Sequence, residues 1–184
     1  STVVDLFAGL GWHTVQSDQI VKDVLSSDVS VQSAIIDRWG GAVRSVERGV
    51  LDRKAIAKIV FQEPEELDWL EQLLHPIVRL YWESALETYE MSPILVEIPL
   101  LFEKRLETAF DLTVCISCPP EVVSERMVQR GYSEVEIEQR RARQLPLSQK
   151  IKRSDHVLSN SGNIQFLQNQ VLKLNELLAM QTPH

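Results

Sequence analysis

The chain has 184 residues, 44% hydrophobic and 24% charged, with a net charge of −7. That is ordinary globular material for one domain, with room for an inserted subdomain. The acidic balance argues against a general nucleic-acid binder, which needs a basic face to displace counterions. No apolar run approaches the roughly 18 residues a membrane span requires.

In chain order, residues 3–9 of STVVDLFAGLG predict a helix ending at Gly9. HTVQS (13–17) predicts a short strand, and a helix follows over about 19–25. From there to residue 93 only helical signals occur. SVQSAIIDRW (30–39) stops at Gly40-Gly41, and DRKAIAKIVF (52–61) has Asp52 as N-cap. EPEELDWLEQLL carries Pro64 in a first turn, where its missing N–H does no harm. His75-Pro76 predicts a break, with IVRLYWESALETYE as a new helix. ILVEI (94–98) and LTVCIS (112–117) read as strands that are apolar nearly throughout, as expected with both faces covered. PPEVVSERMVQR predicts a helix. SEVEIEQRRARQ begins another with a capping box from Ser133 to Glu136. HVLS (156–159) is a last short strand. A closing helix has apolar residues at 164, 167, 171, 174 and 178.

Strands near 14, 95, 114 and 157, separated by helices, predict an α/β fold with a parallel sheet covered by helices. The long helical block 19–92 then becomes a subdomain inserted between two strands. Cys115 and Cys118 form a CxxC, which fits either a redox pair or half a zinc site. No second cysteine pair completes a zinc site, and the four histidines do not cluster in sequence. Core thiols in a reducing cytoplasm are the expectation.

Ser1-Thr2 opens a helix, and two readings fit. One is a plain N-cap. The other is the end of a phosphate loop, GxxxxGK(S/T), whose hydroxyl ligates Mg²⁺ while the helix N-terminus favours phosphate. Several further stretches bear on the choice: the aspartate of QSDQIV, LDR (51–53), LEQLLHP (70–76), EIPLLFE (97–103), ERMVQR (125–130), RRARQ (140–144) and SDHVLSN (154–160). Together with STVVDLFAGLG they resemble the dephospho-CoA kinase family, from Ser1 to about Asn160 and more loosely beyond. LLHP and IPLLFE at this spacing carry most of the specificity. The family reads TGGIGSGK just ahead of the position of Ser1, so an apolar strand and a glycine-rich loop ending in Gly-Lys are expected there. A protein that truly began at Ser1 is expected to be inactive as a kinase. The family usually has DAD where this chain has Gln16-Ser17-Asp18, so only the second aspartate matches.

The resemblance implies a P-loop NTPase fold with a helical substrate-binding insert and an Arg-rich lid. It also implies transfer of the γ-phosphoryl group of ATP to the ribose 3′-hydroxyl of dephospho-CoA, with Mg²⁺. The expected domains are a nucleotide core (1–18, 93–120 and 154–184), a substrate subdomain (19–92) and a lid (121–153). Asp18, whose bland reading is an N-cap, becomes the catalytic base. Ser1 becomes the metal ligand, and Ser1, Thr2, Arg126, Arg130, Arg140 and Asn160 become ATP contacts. His75, Pro76, Leu100, Leu101 and Glu103 become substrate contacts. Arg141 and Arg143 read better as a solvated face paired with glutamates. The expected partners are ATP and dephospho-CoA, with no nucleic acid and no membrane, in a cytoplasmic monomer or weak homo-oligomer. A nucleoside monophosphate-type kinase and a non-catalytic nucleotide- or CoA-binding homologue are the alternatives.

Overall fold

In a computed structural model of the chain, residues 1–45 and 51–181 are described. They form two compact units, one spanning Trp12–Ile98 and the other joining Ser1–Gly11 to the chain from Pro99 onward.

The first unit is built on a parallel pair, β1 (His13–Gln16) and β2 (Ile94–Glu97), with Val15 opposite Val96. Parallel neighbours cannot be joined by a hairpin and need a crossover. Here the crossover is helical: α2 (Ser17–Ser27), α3 (Val29–Trp39), a 3₁₀ turn (Gly40–Val43), α4 (Arg53–Gln62) and α5 (Pro64–Thr88). Local chemistry sets the boundaries. Asp28 caps α3 by accepting from Ser30 N–H at 2.9 Å and Val31 N–H at 3.0 Å. Gly40 ends α3 at φ +67°, a conformation that suits glycine. Asp52 caps α4 through Lys54 N–H at 2.8 Å and Ala55 N–H at 3.3 Å. Arg38 grips Glu66 with two hydrogen bonds of 2.6 and 2.9 Å, and Trp39 Nε1 adds a third at 2.7 Å, fastening α3 to α5.

Helix α5 corrects one expectation. It runs 25 residues without a break, with Pro76 inside it. His75 therefore caps nothing, and the two predicted helices are one. Leu70, Leu74, Val78 and Trp82, four residues apart, are buried along a single stripe that crosses the proline. Each fully buried side chain of this kind contributes about 1.5–3 kcal/mol, enough together to offset the roughly 3 kcal/mol an internal proline costs.

The second unit contains α1 (Thr2–Gly9), β3 (Val114–Ser117), α6 (Pro120–Gln129), α7 (Glu134–Ala142), α8 (Leu147–Arg153), β4 (His156–Ser159) and α9 (Ile164–Gln181). β3 and β4 are parallel, with Cys115 opposite Val157. Asp155 Oδ2 accepts from both the N–H and the hydroxyl of buried Thr113, each at 2.8 Å, which pins the start of the pair. Helix α9 packs on α1 and β4. Its buried residues are Leu167, Val171 and Leu174, while α1 buries Val3, Val4 and Phe7. Gly11, at φ +88°, closes α1 by donating to Ala8 O at 3.0 Å. The predicted capping box of α7 is present.

The expected parallel pairing is present: among the described residues β1 pairs with β2 and β3 with β4. One further expectation changes, because the strands are not buried on both faces: every residue of β1 and β2 is half-exposed, and Ile116 of β3 is 40% exposed. An apolar strand sequence reports what it can pack against, and a pair of strands covers less than a wide sheet would. Helix α8 had no predicted counterpart. No described helix is long and apolar enough to cross a membrane.

Candidate active site

In the unit Trp12–Ile98, Asp18 sits in the first turn of α2, directly after β1. The N-cap is Gln16, so the bland reading of Asp18 as a cap does not hold. Its side chain is exposed, and neither a hydrogen bond nor an ion pair engages it among the described residues. Ser17 beside it is buried, and its hydroxyl has no hydrogen-bond partner. The C-terminal end of a parallel strand is where ligands meet sheets of this kind, and a first-turn carboxylate there is also stabilised by the helix dipole. His75 and Pro76 lie on the exposed side of α5, with His75 Nε2 at 3.9 Å from Glu71 Oε2 one turn earlier.

The second unit brings several predicted residues to one place. Arg126 Nη1 donates to the backbone carbonyl of Asn160 at 3.0 Å and lies 3.9 Å from Cys118 Sγ. Cys118 in turn lies 3.3 Å from the same carbonyl. Asn160 N–H reaches back to Ser117 O at 2.7 Å. So α6, the end of β3 and the end of β4 converge. Beside them a cavity of about 300 Å³ opens between Ser117, Cys118, Pro119, Leu147, Ile151, Ser159 and Ser161. A guanidinium has five N–H donors, and the described residues occupy those of a single Nη. The CxxC is thus divided between a buried strand thiol and a strand-end thiol. Burial pushes the Cys115 thiol up from its ordinary value, against the nearby Lys150 charge, so it is neutral packing material.

The remaining arginines are placed differently. Arg130 is exposed at the end of α6. Arg140 lies over the Tyr132 ring, 4.7 Å from its centroid. Arg141 binds Glu138 at 3.3 Å and Ser124 Oγ at 2.9 Å, which suits a structural arginine. Ser1 provides the N-cap backbone of α1, and its side chain makes no capping hydrogen bond. Thr2, the first helical residue, is exposed.

Leu100 and Leu101 sit half-buried in a turn closed by Lys104 N–H to Leu100 O and Leu106 N–H to Leu101 O, both 3.0 Å. Glu103 Oε1 accepts from Leu145 N–H at 2.7 Å and from Lys150 Nζ at 2.9 Å. Burial works against its charge, but these bonds outweigh burial and hold the carboxyl below its ordinary range. Lys150 and Arg126's grip on the Asn160 carbonyl were not legible beforehand. Their partners lie 47 and 34 positions away, and no local signal links them.

Among the described residues no group of three or more His, Cys, Asp or Glu side chains gathers to hold a metal. A hydroxyl at a helix N-terminus, as at Ser1, is a fitting ligand for Mg²⁺, which takes few protein ligands and keeps water and phosphate oxygens.

The family model described as dephospho-CoA kinase matches residues 1–165. The chain belongs to the dephospho-CoA kinase family. Among relatives bearing that name, the protein of Thermosynechococcus vestitus is 38% identical over 169 residues, covering 91% of this chain and 83% of its own. That of Parasynechococcus marenigrum is 36% identical over 169 residues, with 91% and 84% covered. That of Aquifex aeolicus is 33% identical over 181 residues, with 97% and 91% covered. A crystal structure from Thermus thermophilus superposes with a TM-score of 0.77 at 32% identity, over 99% of this chain and 91% of that one. The dephospho-CoA kinase of Campylobacter jejuni gives 0.70 at 22% identity over 98% and 91%, a likeness of fold. The family's architecture is that of P-loop kinases, a parallel sheet covered by helices.

Proposed function

We propose that this chain performs the reaction its family is named for, moving the γ-phosphoryl group of ATP onto the ribose 3′-hydroxyl of dephospho-CoA. The observation that carries this reading is the family match over residues 1–165, which takes in both Asp18 and the Arg126–Asn160 junction. Phosphoryl transfer depends on positioning and charge stabilisation more than on covalent chemistry.

Asp18 is the general base. Its exposed, uncommitted carboxylate accepts the proton of the 3′-hydroxyl as the oxygen attacks phosphorus. Arg126, Arg130 and Arg140 supply guanidinium forks that match the charge spreading over phosphate oxygens. Asn160, whose carbonyl is held by Arg126, stands between the cavity-lining Ser159 and Ser161 in the chain and contacts the adenine of ATP. Ser1 and Thr2 face phosphate at the start of α1. Ser1 would hold Mg²⁺, which supplies charge neutralisation between phosphate oxygens. His75 and Pro76 on α5 are substrate contacts in this reading. Leu100, Leu101 and Glu103 are substrate contacts as well, with the Glu103 carboxylate already committed to Lys150 and Leu145. In this reading 1–18, 93–120 and 154–184 form the nucleotide core, 19–92 the substrate subdomain and 121–153 the lid. We place the enzyme in the cytoplasm as a monomer or weak homo-oligomer that binds no nucleic acid.

An acceptor panel tests the assignment. The full-length protein with ATP should phosphorylate dephospho-CoA in preference to AMP, CMP, UMP and GMP. Preference for a nucleoside monophosphate would move it to another kinase class.

A further inference from the structure

The turn carrying Leu100 and Leu101 is closed on itself and contains Arg105 at φ 54°, a left-handed conformation unusual for a side chain of that size. Such a turn needs outside support. Its polar anchor is Glu103, whose side chain is only 11% exposed. One oxygen, Oε1, receives Lys150 Nζ and Leu145 N–H. The other, Oε2, is buried without a hydrogen-bond partner. Lys150 is itself 13% exposed, and its ammonium also donates to Gln144 Oε1 at 2.9 Å. One largely buried ammonium therefore joins the 99–106 turn to the segment that follows the arginine helix α7. A second pair on the same helix, Arg153 with Glu107, fixes α8 alongside, and Arg153 lies over Phe102 at 5.0 Å.

We infer that Lys150 is a positioning residue for the phosphoryl-acceptor side, acting through Glu103 to hold the 99–103 turn. This rests on the phosphotransfer reading above. Removing one partner of a buried ion pair leaves a charge with no compensation, and the chain relieves it by moving that charge toward water. Here the movement would carry Leu100 and Leu101 with it. The need for Lys150 thus arises from the charge on Glu103, which another cation at position 150 also meets.

The test uses the full-length enzyme and two variants, Lys150→Met and Lys150→Arg. KM for dephospho-CoA, KM for ATP and the melting temperature are measured for each. Lys150→Met is expected to raise the dephospho-CoA KM about 10- to 100-fold, as misplaced substrate contacts do, with a much smaller change in the ATP KM. Lys150→Arg restores a cation beside Glu103 and is expected to keep the dephospho-CoA KM within about threefold of the parent. If Lys150→Met does not fold, Lys150→Arg alone decides by the same criterion. A folded Lys150→Arg enzyme with a strongly raised dephospho-CoA KM, or a folded Lys150→Met enzyme with the parent's KM, overturns the inference. If the parent enzyme fails to phosphorylate dephospho-CoA at all, the assignment of the reaction is what fails.

Discussion

Replacing Asp18 by Asn separates a catalytic carboxylate from a structural one. The exchange keeps shape and removes charge. Asp18 is exposed, lies in the first turn of α2 and is not its cap, so the stability at stake is the helix-dipole contribution, about 0.3–1 kcal/mol. For a chain of this size that is a drop of no more than roughly 2–4 °C in melting temperature. Loss of a general base is far larger, roughly 10²–10⁴-fold in turnover, or about 2.7–5.5 kcal/mol in the barrier. The assay is ADP release coupled to NADH oxidation, at saturating ATP and dephospho-CoA, beside calorimetric titration of each substrate. Near-parent binding with turnover down by at least about a hundredfold is expected. A loss of less than about tenfold would remove Asp18 from the proton transfer.

Arg126→Ala removes a charge-assisted contact and frees the Asn160 carbonyl, so the ATP KM should rise roughly 10- to 100-fold, equivalent to about 1.5–3 kcal/mol; unchanged ATP kinetics would take Arg126 out of the nucleotide site. Pro76→Ala restores an N–H donor inside a continuous helix at an exposed position and should raise stability by up to about 3 kcal/mol, read by chemical denaturation; a lower stability would mean that α5 depends on the bend. Acid should destabilise the fold: Arg38 and Trp39 hold Glu66 below its ordinary range, Arg153 holds Glu107 there, and Thr113 holds Asp155 there. Because the unfolded chain binds more protons to these groups, their stabilisation is present above the ordinary carboxylate range and is lost as pH falls through the lowered values. Melting temperature should therefore decline below about pH 4.5, and a flat profile down to pH 3 would contradict these pairings.

Much of this architecture is legible because its signals are local. Asp52, Pro64, Gly40 and the Ser133–Glu136 box each act within a few residues, and each stands where its chemistry requires. His75-Pro76 misled because a proline rule is also local, whereas the stripe through Leu70, Leu74, Val78 and Trp82 spans the whole helix and outweighs it. Helix α8 has only seven residues with three cations in its last turn, so it offers too little apolar periodicity to be read. The junctions that matter most, Arg126 with the Asn160 carbonyl and Glu103 with Lys150, join residues 34 and 47 positions apart. Only folding brings them together. The motif resemblance singled out Arg126, Asn160 and Glu103 but not Lys150, because the lysine's importance comes from the buried carboxylate it neutralises.

The central claim is that one phosphoryl group passes from ATP to one hydroxyl of dephospho-CoA. The most direct measurement is phosphorus NMR of the product formed by the full-length protein from ATP and dephospho-CoA, with authentic coenzyme A as the standard. The account predicts ADP and a ribose 3′-phosphomonoester identical to the standard, formed in equal amounts. Inorganic phosphate released without a phosphorylated acceptor, or a phosphate on any other position, would contradict it.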